Sequence, residues 1–115
     1  MNFGLGNALY EKKDIERARY SFRRAVELSP RHLGALLNLG RLETGARQWD
    51  FAERSLRAAI ALDPSSAKAH FFLADMKYAQ GEFAAAREAL ARALELRPDQ
   101  PELIELREKL KGAAP

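Results

Sequence analysis

The phrase Ala25-Val26-Glu27-Leu28-Ser29-Pro30 returns as Ala59-Ile60-Ala61-Leu62-Asp63-Pro64 and again as Ala93-Leu94-Glu95-Leu96-Arg97-Pro98. Its prolines recur every 34 residues. A fixed period of that length restricts the chain to a stack of similar units, each burying an apolar face against the next. A chain of 115 residues is long enough for one domain with a real core.

Within each period the apolar residues fall at three- and four-residue steps, the spacing of helices. In the first unit a helix is predicted from residue 1 to about 12 through Leu5, Ala8 and Leu9, then a turn at Lys13-Asp14 with Asp14 as N-cap. A second helix follows, with Ala18, Phe22, Ala25 and Val26 as its apolar stripe. Pro30 closes the unit, because proline disfavours helix in the residue before it. The second unit has Leu36, Leu39, Gly40 and Leu42 in its first helix and a turn from Gly45 to Gln48. Its second helix runs from about Trp49 to Leu62, with Ala52, Leu56, Ala59 and Ile60 as its stripe. The third unit opens on Ser65-Ser66, carries Phe72, Leu73 and Met76, and breaks at Gly81. It closes with a helix striped by Phe83, Ala86, Leu90, Ala93 and Leu94.

The tail differs. Asp99-Gln100-Pro101-Glu102 reads as an Asp-x-x-Glu capping box with proline in the first turn. Leu103, Leu106 and Leu110 then form one apolar stripe among charged residues, as suits a helix covering the end of a stack. The expected organisation is a single all-α domain. Residues 1–30 form a first repeat that begins late, as in an array cut from a longer one or a frayed start. Residues 31–64 and 65–98 form two full repeats, 99–111 a capping helix and 112–115 a frayed tail.

These residues resemble tetratricopeptide repeats, whose pattern is W-x₂-L-G-x₂-Y, then A-x₃-F, then P. The Leu-Gly pair is Leu5-Gly6, Leu39-Gly40 and, with a change, Leu73-Ala74. The Ala-x₃-Phe pair is Ala18/Phe22, Ala52/Leu56 and Ala86/Leu90, and the later small residue is Ala25, Ala59 and Ala93. Small residues in these slots let antiparallel helices approach closely. The tryptophan slot instead holds Asn2, Leu36 and His70, and the tyrosine slot Leu9, Glu43 and Lys77. Gly45 also comes two residues earlier than Lys13 and Gly81 would suggest. The resemblance implies a right-handed α-solenoid of three helical hairpins plus a C-terminal capping helix.

It also implies a function: a non-catalytic scaffold or adaptor that binds a partner peptide or helix in its concave groove. In this family the first helix of each unit lines that groove. Carried over, the wall is Phe3, Asn7, Tyr10 and Glu11, then Leu37, Asn38, Arg41 and Thr44, then Lys68, Phe71, Phe72, Asp75 and Tyr78. Helical spacing agrees, since Phe3, Asn7 and Tyr10 share a face, as do Phe71, Asp75 and Tyr78. Some relatives grip a ligand's C-terminal carboxylates with lysines, asparagines and an arginine. Asn7, Asn38 and Lys68 match three of those slots, while Phe3 and Phe72 replace a lysine and the arginine. Such a half-clamp implies a more apolar peptide than the acidic chaperone tails that full-clamp relatives hold. A plainer reading is that the rings pack against neighbouring units and the asparagines tie adjacent helices together. Self-association, or assembly within a larger protein, is the alternative function.

Other chemistries find little support. The chain has no cysteine, hence no disulfide or thiolate metal site, and no cofactor is implied. His32 reads as a solvated turn residue and His70 as a packing histidine. Gly4-Leu5-Gly6 follows no strand, which argues against a dinucleotide loop. A net charge of +3 is mild, and the outer arginines (Arg17, Arg23, Arg24, Arg54, Arg57, Arg87, Arg92) interleave with glutamates, which disfavours nucleic acid as partner. No apolar run approaches the roughly 18 residues of a membrane helix. No signal peptide shows, so the compartment stays open with the cytoplasm slightly favoured.

Overall fold

Helix boundaries in the computed structural model follow the sequence punctuation closely. It describes residues 15–29 and 31–113. Among them are six α-helices and no strand: α1 Ile15–Leu28, α2 Leu33–Gly45, α3 Trp49–Leu62, α4 Ala67–Gln80, α5 Phe83–Leu96 and α6 Pro101–Lys111. The helix over residues 1–12, the Lys13-Asp14 turn, Pro30 and the last two residues lie outside the described residues. The reason α3 and α5 stop is visible in their C-caps. Asp63 and Arg97 each precede a proline, and each sits in extended backbone, at φ −144°, ψ 86° and φ −143°, ψ 83°.

The helices pack as a solenoid. α2 with α3, and α4 with α5, are hairpins, and each hairpin leans on the next through α3 and α4. The first helices α2, α4 and α6 also approach in series, whereas the backbones of the second helices lie farther apart and meet through side chains such as Arg23 over Phe51. Closer approach on one side bends the stack, so α2, α4 and α6 line its inner face. Ala18, Ala52, Ala86, Ala59 and Ala93 are all fully buried at the crossings. Gly40 makes the tightest approach: a Cβ there would lie 2.5 Å from Leu56 Cδ2 and 2.6 Å from its Cγ. The leucine stripe of α6 is buried against α5, as expected of a capping helix.

Three local expectations change. The N-cap of α6 is Gln100, at φ −74° and ψ 126°, and no side chain bonds there. Pro101 explains the shift, since it forces the residue before it into the extended conformation an N-cap needs, leaving Asp99 outside the box. His32 is more than a solvated turn residue: it caps α2, its Nδ1 accepting from the Ala35 N–H at 3.1 Å. The turn after α2 is not built on Gly45, which ends the helix. The left-handed residue is Arg47, at φ 62°, one period before Gly81 at φ 87°. A non-glycine residue there is strained by about 1 kcal/mol. Arg47→Gly therefore stabilises the fold by about 0.5–1 kcal/mol in urea denaturation, less any contribution from the Arg47 guanidinium, which lies 5.7 Å from the Trp49 ring centre.

The off-pattern tyrosine slots hold polar links between units. Glu43 is 1% exposed between α1, α2 and α3. Ser55 Oγ donates to its Oε1 at 2.7 Å, and an Arg23 nitrogen lies 3.4 Å from its Oε2. Burial pushes this carboxyl above its usual range, against the Ser55 bond and the Arg23 charge. One period on, Lys77 Nζ reaches Glu53 at 2.9 Å, and with Arg57 holds that carboxylate below its usual range. His70, by contrast, is the expected packing residue: it is buried, with Nε2 3.0 Å from the Pro64 carbonyl. On the outer face Arg24–Glu27, Arg57–Glu53 and Arg92–Glu95 pair at 2.8 Å, which mutes the basic surface.

Candidate binding groove

The concave side holds a hollow of about 990 Å³. The end of α2 contributes Arg41, Thr44 and Gly45, and the first half of α4 contributes Lys68, Phe71, Phe72 and Asp75. Asp63, Ser65 and Ser66 close one side from the α3–α4 loop, and Arg97, Gln100, Glu102 and Leu103 form the far wall. The α4 segment is held in place by Ser66, whose hydroxyl accepts from the Ala69 N–H at 3.1 Å and so fixes the start of the helix. From there the helical repeat carries Lys68, Phe71, Phe72 and Asp75 onto one side of α4.

The aromatic floor is built by Phe71 and Phe72, with ring centres 5.8 Å apart and planes tilted by 50°. Both are half-buried, and Phe72 also packs against the core. The Arg41 guanidinium comes over the Phe72 ring from the neighbouring helix, 5.4 Å from its centre. A cation thus stands beside the slot where the sequence pattern has lost its arginine. Asp75 is exposed, yet it lies in the hollow with protein on several sides. That partial loss of water raises its carboxyl above the usual range, against the pull of Lys109 and Arg41.

The hollow brings together Arg41, Thr44, Lys68, Phe71, Phe72 and Asp75 from the sequence-derived wall. Leu37 is instead buried in the core with Leu56 and Leu73. Asn38 is half-buried and does not line the hollow. Tyr78 is half-buried against Phe83 across the Gly81 turn, with ring centres 5.6 Å apart. Phe3, Asn7, Tyr10 and Glu11 lie outside the described residues. Sequence reasoning missed Arg97, Gln100, Glu102 and Leu103. Their signal was present, because α6 follows α5 as a first helix follows a second, so its opening turn belongs to the inner face.

Among the described residues there is no group of three or more histidines or carboxylates that could hold a metal ion, and no helix is long and apolar enough to cross a membrane. Two family models described as tetratricopeptide repeat match residues 2–32 and 37–101. Small glutamine-rich tetratricopeptide repeat-containing protein 2 of Saccharomyces cerevisiae is 29% identical over 94 residues, or 82% of this chain, and the chain spans 27% of that protein's length. Among solved structures, the first TPR of Spaghetti (RPAP3) bound to the HSP90 peptide SRMEEVD superposes with a TM-score of 0.87 at 20% identity, over 96% of this chain and 87% of that one. The second TPR domain of human RPAP3, in complex with the HSP70 peptide SGPTIEEVD, gives a TM-score of 0.86 at 21% identity, over 96% and 92%. One of the two family matches alone spans more than half of the residues, and the chain belongs to the tetratricopeptide-repeat family of protein-interaction modules.

Proposed function

We propose that the concave hollow binds a short peptide or a partner's helix, and that the chain acts as a scaffold or adaptor without catalysis of its own. The observation that carries this reading is the hollow itself, where an aromatic floor and the Lys68 ammonium face the same space. Rings supply contact area at low entropic cost, and charges at the rim fix orientation. Lys68 makes no ion pair or hydrogen bond with any described residue, so its ammonium is available to a ligand. The peptides held by the two RPAP3 domains are a precedent for the mode of binding, not for the partner.

Lys68 is also the cleanest probe. Phe72→Ala would disturb the core it packs on, so lost binding and lost stability would be confounded. Lys68→Ala removes an exposed side chain that has no hydrogen bond or ion pair among the described residues. Screened against a peptide array and then titrated by fluorescence anisotropy, it should weaken the best peptide by about fivefold to tenfold, the range of a partly screened charge contact. Its melting temperature should stay within about 1 °C of the parent. Peptides that bind both proteins equally well would place the binding surface elsewhere.

A further inference from the structure

We infer that Asp75 sets the charge preference of the groove, and that its ligand is a mixed-charge peptide: a basic side chain against Asp75, apolar residues over Phe71 and Phe72, and an acidic group at Lys68. This rests on the groove reading above and specifies its ligand.

Lys68 and Asp75 line the same hollow with the two phenylalanines between them. Neither has a hydrogen bond or ion pair among the described residues. Opposite charges, unpaired among the described residues, therefore face one cavity across an apolar floor. They stand about two turns apart on α4, roughly 10 Å along the axis. An extended peptide covers that distance in about three residues. The acidic group belongs at the Lys68 end for a second reason, since the positive pole of the α4 dipole lies there.

Asp75 is more than a solvated surface charge. The hollow takes part of the water from around its exposed carboxylate, and a cation laid against it offsets that loss. Arg41 and Lys109 favour the ionised form but neither bonds to it, and the Arg41 guanidinium lies over Phe72. A ligand lysine or arginine entering here meets this carboxylate at the edge of the aromatic floor. A ligand with only acidic residues meets Asp75 as a like charge. Without Asp75, the hollow would keep Arg41, Lys68 and Arg97 against Asp63 and Glu102, and its balance would shift towards acidic peptides.

The test uses two fluorescent peptides, acetyl-Gly-Glu-Leu-Phe-Lys-Gly-Ser-amide and its sister with Glu in place of Lys. The parent protein should prefer the first by about fivefold to tenfold. Asp75→Asn should bring the two affinities within about twofold by tightening the all-acidic peptide, with melting unchanged because no bond is lost. Equal affinities in the parent, or an unchanged ratio in Asp75→Asn, would overturn the role of Asp75 while leaving a peptide groove in place. Binding of both peptides that is indifferent to Lys68→Ala, or binding of neither, would overturn the groove reading and this inference with it.

Discussion

Leu56→Ala lowers the stability of the stack by about 3–5 kcal/mol, read as a shift in urea midpoint. Leu56 is fully buried, and its branch lies directly over the bare Cα of Gly40. Its loss removes apolar burial and leaves a cavity at the point where α2 and α3 come nearest. Gly40→Ala alone is also harmful. Overpacking of about 1–3 kcal/mol outweighs the roughly 1 kcal/mol that alanine gains over glycine in a helix. The decisive outcome is in the double variant. Once Leu56 is truncated, the methyl at position 40 enters the vacated space, and the substitution becomes stabilising by about 1 kcal/mol. The two changes should therefore miss additivity by about 1–3 kcal/mol. Additive effects would mean that the helices do not nest at this contact.

Ser55→Ala is the second large effect, and it depends on pH. The hydroxyl is the best hydrogen bond to the buried Glu43 carboxylate, and the Arg23 contact at 3.4 Å is a poor substitute. A bond to a charged group contributes about 1.5–3 kcal/mol, reduced here by about 0.5 kcal/mol because alanine is the better helix former. Burial raises the folded-state pKa of Glu43 above its reference value of 4.5. The folded chain thus holds this proton more tightly than the unfolded chain. Its contribution is favourable at low pH and is lost as pH rises from that value through the raised one. Removing Ser55, which lowers the pKa, raises it further and extends the loss. Urea denaturation should show a deficit of about 2 kcal/mol at pH 8 and under about 1 kcal/mol at pH 4. A deficit equal at both pH values would show that Glu43 is not ionised in the folded protein.

The sequence disclosed what is periodic and local. Proline spacing gave the helix ends, and alanines one period apart gave the crossings, because each depends on a backbone limit or a side-chain volume at one position. Side chains that reach between units were hidden. Glu43 looks like a failed tyrosine slot until Ser55 and Arg23 arrive from neighbouring helices. Arg41 over Phe72 is likewise a meeting of two repeats, and a 34-residue register does not encode how far an arginine extends. Tyr78 shares a stripe with Phe71 and Asp75 on paper, but the turn at Gly81 swings Phe83 against it and draws the ring away. Leu37 belongs to the wall that the family resemblance implies, but its position on α2 points it into the core.

The far wall of the hollow belongs to α6, which among the described helices rests on α5 and α4. In a structure held by nearest neighbours, such a helix can peel away while the hairpins before it stay folded. Retention of α6 and occupancy of the hollow by a ligand would then be linked equilibria. A guest seated between Lys68 and Glu102 would clasp α6 to α4, and loosening of that contact would let the guest go.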